Sequence, residues 1–338
     1  MPRTKSLYHC MTNSSSLSVV IVSYNTRDFL RRCLAALRQR AGEGPLDIVV
    51  VDNASTDGSV PMLQSEFPEV RLLALPENLG FAQANNRAMQ ELNCAEVLFL
   101  NPDTIITEGA IAKLRRSLSA HPKAAVVGAQ LISHSGHSLP SSFAFPSLWR
   151  EFWNFLPELK GLFRIRALAS AFSKIFPQLW RGSYRTDSQA RQVDSVAGAC
   201  MLVRTDAFRK VGGFCGEFFL YHEEMEFCYR LRRSGWEVWL ESQARVVHYE
   251  SQSSGMRHFR LPPMPVLGYR LTGMDYFWSV HRSGLPYALW RFMGQVLLGL
   301  RAALCTVSGL VAKGEKRKRL FAGAKEIRKV IGQMKERR

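Results

Sequence analysis

Five polar clusters in this chain carry side chains able to hold a cation, an anionic ligand or a proton. Asp103 follows the apolar run Val97-Leu98-Phe99-Leu100, within Asn101-Pro102-Asp103-Thr104. A carboxylate fixed at a strand end can grip a divalent cation, because Mg²⁺ and Mn²⁺ take oxygen ligands and share sites with substrate phosphates. Such a cation neutralises a departing diphosphate. The same four residues are good turn chemistry, and spacing alone leaves the two readings level. Asp52 ends the run Ile48–Val51. Its carboxylate could accept the imide N–H of a pyrimidine with Tyr24 stacked on the ring, or it could build an Asx turn or a helix cap alongside Ser55 and Asp57. Glu223, Glu224 and Glu226 cluster among aromatic residues before a helix. One of them could serve as general base toward a hydroxyl. Acids in a first turn are also favoured by the helix dipole, and Glu226 is spaced to pair with Arg230. His248 closes Val246-Val247 and could ligate a metal, although a lone histidine is more often a structural hydrogen-bonder.

The elements that must position these groups are legible from periodicity. Leu17–Ser23, Asp47–Val51, Arg71–Leu75 and Glu96–Leu100 read as strands. Val126–Leu131, Val193–Val203, Val238–Leu240 and Arg245–His248 read as further strands. Helical patterns cover Thr26–Arg40, Phe81–Asn93, residues 108–120 and Phe218–Arg233. This alternation predicts an α/β fold, a doubly wound mixed sheet flanked by helices. Ligands of such sheets sit beyond the carboxyl ends of the strands. The Tyr24, Asp52, Asp103 and Glu223-Glu224 clusters then converge on one edge. Between about His134 and Arg191 the pattern dissolves, apart from an apolar patch near Leu162–Phe176. That stretch reads as an insertion at an acceptor region.

The formal net charge of +17 over 338 residues is concentrated at one end. Residues 259–338 hold 16 Lys and Arg against 4 Asp and Glu, a net +12. There the basic residues accompany an apolar stretch, Leu285–Leu310, interrupted by Arg291 and Arg301. That combination predicts a helical, membrane-associating extension over 256–338, against the competing reading of a core-packing helix with a solvated charge run, and argues for an anionic membrane surface rather than nucleic acid. The seven cysteines include no C-x-x-C pair and read as small buried hydrophobes in a reducing compartment. Residues 1–16 are polar, read as a disordered tail, and carry no apolar core of a secretory leader. No Gly-x-Gly-x-x-Gly follows the first strand, which argues against a dinucleotide oxidoreductase.

Taken in order, these stretches resemble the family 2 inverting glycosyltransferases of GT-A fold. The matching segments are Val20-Ile-Val-Ser-Tyr-Asn25, Val50-Val-Asp-Asn-Ala-Ser-Thr-Asp57, Asn78-Leu-Gly-Phe-Ala-Gln-Ala-Asn-Asn86 and Phe99-Leu-Asn-Pro-Asp-Thr104. They continue through Gly198-Ala-Cys-Met-Leu-Val-Arg204, Gly212-Gly-Phe214, Phe218-Phe-Leu-Tyr-His-Glu-Glu224, and His248 with Ser253-Ser-Gly255. The resemblance covers roughly residues 17–255, outside the insertion at 134–191. It implies that Tyr24 and Asp52 contact the nucleoside, and that Asn78, Asn85 and Asn86 lie in the segment lining the donor pocket, Asn78 foremost. Asn101-Pro102-Asp103 corresponds to the family's Asp-x-Asp, with Asp103 and His248 as metal ligands. Glu224 stands at the position of the catalytic base, with Glu223 orienting the acceptor or the helix start. Two departures stand out: Asn101 replaces the first carboxylate, and Glu224 replaces the usual Asp.

The resemblance further implies inverting transfer of a sugar to a hydroxyl of a lipid-linked or polysaccharide acceptor in cell-surface glycan assembly. The cofactor is expected to be Mg²⁺ or Mn²⁺, and the donor dTDP-rhamnose (deoxythymidine diphosphate-rhamnose) or a UDP-sugar. The expected location is the cytoplasm, peripheral on the inner face of the cell membrane. The competing expectation is a non-catalytic nucleotide-binding protein of the same fold docked to a membrane complex.

Overall fold

A computed structural model describes residues 17–39, 46–155, 189–249 and 264–336. The strands are β1 Leu17–Ser23, β2 Leu46–Asp52, β3 Arg71–Ala74, β4 Glu96–Leu100, β5 Thr104–Ile106, β6 Ala124–Ile132, β7 Ser142–Phe143, β8 Arg191–Gln192, β9 Ser195–Val196, β10 Cys200–Arg204 and β11 Glu237–His248. The helices are α1 Arg27–Gln39, α2 Ser59–Glu66, α3 Gly80–Met89, α4 Ala110–Ala120, α5 Leu148–Phe155, α6 Thr205–Lys210, α7 Glu223–Arg233, α8 Met264–His281, α9 Leu285–Val311 and α10 Gly314–Glu336.

Among the described residues the main sheet runs β3-β2-β1-β4-β10-β6-β11-β5, with β8 on β11. The β3, β2, β1 and β4 strands are mutually parallel, and β10 enters antiparallel between β4 and β6. The central strands β1, β4 and β6 are buried almost throughout, as their near-continuous apolar runs require. One face packs on Leu30, Leu34 and Leu37 of α1 and Leu114 and Leu118 of α4. The other packs on Ala84 and Ala88 of α3, Phe208 of α6, and Phe227 and Leu231 of α7. Register pairs Ser23 with Asp52 and Ile21 with Leu100, so the chain leaves β1, β2 and β4 on the same edge. The six cysteines among the described residues are free, five of them buried.

Several expected boundaries move. The stretch 193–203 is two strands, β9 and β10, joined by a turn at Ala197–Ala199. The two short strands at 238–240 and 245–248 are one strand, β11, whose pairing with β6 shifts register between Glu241 and Arg245. The helix expected from Phe218 begins only at Glu223, because Tyr221 and His222 adopt left-handed conformations with φ 71° and 73°. Within 134–191 the described part holds β7 and α5, and β7 pairs with β9. The Leu162–Phe176 patch, Met1–Ser16 and Ser253–Gly255 lie outside the described residues.

The extension is helical, as its periodicity implies, but it is not an appendage. Phe218, Met225 and Tyr229 share one core with Met274, Phe277 and Trp278 of α8, Trp290, Leu297 and Leu298 of α9, and Ile327 and Val330 of α10. Gly309 lets α9 approach α10 closely: a Cβ there would stand 3.2 Å from the Phe321 ring. The α7 helix therefore has one face on the sheet and another on the extension. Trp290 is fully buried in that shared core. Trp290→Ala is expected to cost about 3–5 kcal/mol. It should do so in one unfolding transition that takes the sheet and the extension together. Calorimetry showing a separate, early transition confined to α8–α10 would contradict the shared core.

Candidate active site

The loops after β1 and β2 are latched to each other. Asn25, at φ 52°, donates its backbone N–H to the Ser55 hydroxyl at 2.9 Å and accepts from the Thr56 N–H at 2.8 Å through Oδ1. The Arg27 N–H donates to Asp57 Oδ2 at 2.8 Å. Tyr24 stands 46% exposed at the rim of this double loop. Asp52 is 2% exposed, and its Oδ2 accepts from the Ser55 N–H, three residues on, at 3.0 Å, which folds the loop back on the strand end. Its other oxygen, Oδ1, is buried and has no hydrogen-bond partner in the structure. Both readings of Asp52 thus fit one side chain: one oxygen shapes the loop and the other is left to a ligand.

Asn53 organises the next loop. Its Nδ2 donates to Asn78 Oδ1 at 2.7 Å, and its Oδ1 accepts from the Leu79 N–H at 2.9 Å. Asn78 Oδ1 also accepts from the Gly80 N–H at 2.9 Å. The Asn78 carbonyl oxygen is therefore spent on opening α3. Asn85 donates to the Phe81 carbonyl, and Asn86 forks onto the Phe214 carbonyl and N–H at 2.7 and 3.0 Å. The two side chains brace the pocket wall through backbone bonds. Asn53 organises this loop and had no role assigned from the sequence; its signals were its place at a strand end and within the matching segment Val50–Asp57.

Asp103 lies between β4 and β5 and is 1% exposed. Neither carboxylate oxygen has a hydrogen-bond partner. His248, paired with Thr104 across β11 and β5, places Nε2 3.3 Å from Asp103 Oδ1 without forming a hydrogen bond to it. A buried carboxylate with two idle oxygens beside an imidazole nitrogen fits a divalent cation that takes its other ligands from phosphate and water. No cluster of three or more His, Cys, Asp or Glu suited to a metal occurs among the described residues. Asn101 is half-buried, and its N–H donates to the Ala199 carbonyl at 3.0 Å. That bond ties the Asp103 loop to the β9–β10 turn, where Gly198 meets Glu224: a Cβ at 198 would rest 3.6 Å from the Glu224 Cβ. The structure thus brings Asp103, His248 and Glu224 to one edge.

Glu223 and Glu224 open α7, set there by the left-handed pair Tyr221-His222. Both residues have a carboxylate oxygen that is buried and without a partner. Burial raises the Glu223 carboxyl well above its usual range, and the adjacent Glu224 raises it further. Burial also raises Glu224, opposed by backbone N–H groups and by the Arg270 guanidinium. Burial pushes the His222 imidazole down to about 3, aided by Arg270, so this ring is neutral. Arg270, on α8, also lies over the Tyr221 ring at 5.7 Å. It is a site residue that the sequence hides in a basic tail. Glu226 is engaged elsewhere. Burial pushes its carboxyl up, but His281 at 3.0 Å and Arg230 at 2.7 Å outweigh that and hold it below the usual range. The spacing of Glu226 and Arg230 had implied their pairing.

Comparison with known proteins decides the family. The family model described as glycosyl transferase family 2 matches residues 18–212. The chain belongs to glycosyl transferase family 2. As a glycosyltransferase it is 30% identical over 321 residues to an N-acetylglucosaminyl-diphospho-decaprenol L-rhamnosyltransferase of Mycobacterium tuberculosis, covering 91% of this chain and 98% of that one. It is 25% identical to the low-salt glycan biosynthesis hexosyltransferase Agl10 of Haloferax volcanii, over 70% of this chain and 67% of the relative. A solved mannosyltransferase, PcManGT of Pyrobaculum calidifontis in complex with GDP-Man and Mn²⁺, superposes with TM-score 0.52 at 15% identity, covering 96% of this chain and 85% of that one. The fold is thus of GT-A type, as the motifs implied.

The raised carboxyls have a consequence for stability. Between the usual glutamate range and the raised folded values, the native chain binds more protons than the unfolded chain, so stability falls as pH rises through that window. Glu223→Gln removes this penalty. Its Tm should exceed that of the wild type at pH 7 by roughly 1–2 °C, as about 1 kcal/mol gives in a chain of this size, and the two should converge near pH 4. Equal Tm values at both pH values would show that Glu223 is not desolvated.

Proposed function

We propose that this glycosyltransferase moves an L-rhamnosyl unit from dTDP-rhamnose to a sugar hydroxyl of a lipid-linked acceptor, with inversion, during cell-wall glycan assembly. The observation that carries the chemistry is the buried carboxylate pair Glu223-Glu224 on the same sheet edge as Asp103 and His248. The donor and the acceptor class rest on the likeness to the mycobacterial rhamnosyltransferase. We place the work at the inner face of the cell membrane, beside that acceptor.

Tyr24 offers a ring to stack on the base, and Asp52 Oδ1 an acceptor for the imide N–H. Asn78 holds the α3 entrance that walls the pocket. Asp103 and His248 are the groups that would hold Mg²⁺ or Mn²⁺, with Asn101 beside them. Such a cation offsets the negative charge of the leaving nucleotide diphosphate. Glu224 takes the proton of the acceptor hydroxyl. The oxygen forms the new bond to the anomeric carbon from the face opposite the leaving group, and the donor's bond to its diphosphate oxygen breaks. Burial makes Glu224 a stronger base than an exposed glutamate, and Glu223 keeps the pair dry and orients the acceptor. The non-catalytic alternative lacks support here, because a protein with no acid–base role gains nothing from two adjacent carboxyls that each keep a buried oxygen without a hydrogen-bond partner.

Glu224→Gln should lower kcat about 10²–10⁴-fold while donor binding, measured by calorimetry, is retained. Wild-type turnover in that variant would remove Glu224 from the role. The base must be ionised, so kcat should rise with pH, along a limb lying above the usual glutamate range. An unshifted limb would contradict the burial argument. A donor screen with Mg²⁺ or Mn²⁺ should show transfer from dTDP-rhamnose. Transfer only from a UDP-sugar would replace the donor and leave the site intact. Asp103→Asn should weaken metal-dependent donor binding at least about tenfold, the effect of losing roughly 1.4 kcal/mol.

A further inference from the structure

The inner-face placement says nothing of how the chain meets a membrane. By length and composition α9 could cross one. Its packing argues otherwise. One side is committed to the core shared with α8 and α10: Trp290, Leu298 and Ala302 are each at most 2% exposed, and Arg301 is buried beside them. A spanning helix would have to abandon that core and carry Arg301 into hydrocarbon. The opposite side carries Leu289, Phe292, Val296, Leu300, Leu304 and Val307, each between 43% and 69% exposed. They recur every three or four residues and so form one straight stripe. None of the exposed positions of α9 bears a charge. From Leu289 to Val307 the stripe is about 27 Å long. Soluble surfaces rarely leave an uncharged apolar band of that length in water.

The surroundings of the stripe select its occupant. Basic α10 packs along α9 and turns Arg317, Lys318, Lys325, Arg328 and Lys329 to solvent. Arg282 and Lys313, both exposed, stand just beyond the two ends of α9. An apolar band between cationic groups matches acyl chains beneath anionic headgroups. We propose that α9 lies flat in the headgroup boundary of an anionic bilayer, with its stripe buried in lipid and the α8–α10 core intact above it. This deepens the inner-face placement but is read without any sugar transfer.

The test is flotation of the full chain with vesicles of phosphatidylcholine alone or mixed with phosphatidylglycerol. Binding to the anionic vesicles, reduced by salt and released by alkaline carbonate, is the expected result. The triple variant Phe292→Ser/Leu300→Ser/Leu304→Ser should lose at least about tenfold in binding, a change of roughly 1.4 kcal/mol. Its thermal midpoint and its transfer to a water-soluble acceptor analogue should stay unchanged, because these side chains do not pack the core. Arg317→Glu/Lys318→Glu should weaken binding to the anionic vesicles alone. Three results would overturn the proposal: no flotation with either vesicle, a carbonate-resistant wild type, or a wild-type dimer that the triple variant turns into a monomer. The last would make the stripe a contact between copies. If flotation succeeds and no sugar is transferred, the functional reading fails while this one stands.

Discussion

The structure is organised around keeping two adjacent carboxyls dry at the start of one helix. Glu223 and Glu224 cannot both be ionised cheaply in that setting, since burial and their mutual repulsion oppose it. Only strong constraint from outside holds them there. It comes from two consecutive left-handed residues, Tyr221 and His222, a conformation costly for side chains with a Cβ. That turn is pinned from one side by α3, where the Phe81 N–H donates to the Phe219 carbonyl at 2.9 Å. Gly80 is required for the approach, because a Cβ there would fall 2.3 Å from the Phe219 oxygen. From the other side α8 closes over it, and a Cβ at Gly273 would stand 3.1 Å from the Phe218 ring.

The family's sequence signatures divide into groups that keep oxygens without hydrogen-bond partners and groups that build the frame. Asp103 and one oxygen of Asp52 are left without partners in the folded chain. Asn53, Asn78 and Asn86 spend polar atoms on backbone and on each other. Arg230 ties Glu226 to the carbonyls of Val211 and Gly213, so the Gly-Gly-Phe turn is clamped to α7. A Cβ at Gly213 would come 2.7 Å from Asn86 Oδ1, which explains that glycine at positive φ. One hydrogen-bonded chain thus runs from the β2 loop through α3 and the Gly-Gly turn to the helix that bears Glu224.

The alternation of strands and helices and the shared edge were legible because buried parallel strands must be apolar throughout and end in polar loops; the order of the strands was not. The family resemblance assigns Asp103 and Glu224 roles beyond ordinary turn and first-turn acids, a distinction that spacing alone does not draw. What stayed hidden depends on tertiary contact. Nothing local marks Phe218–His222 as a loop, since its apolar residues keep helical period while its dihedrals are set by α3 and α8. Arg270 carries no signature within a basic tail. The β11 register shift leaves no trace beyond the polar interruption at Glu241–Gln243, which reads equally well as a break between two strands. The extension's helix stayed open between lipid and core, because an amphipathic helix shows that one face is buried, not against what.

That shared core ties the chemistry to the extension. Met225 and Tyr229 on α7 pack against Met274, Phe277 and Trp278, and the Arg270 backbone hydrogen-bonds the His222 ring. Water kept from Glu224 is therefore kept out partly by α8. If α8 withdrew, the Arg270 guanidinium would leave with it, and the two effects would oppose each other: rehydration lowers the proton affinity of Glu224, while loss of a nearby cation raises it. Burial is the largest influence on this carboxyl, so rehydration wins and the base weakens. The loop from α8 to α9 is three residues, Arg282–Gly284, so forces on the α9 stripe bear on the same core. The proposed lipid-facing stripe and the proposed base thus rest on one set of packed side chains, and neither can shift far without the other.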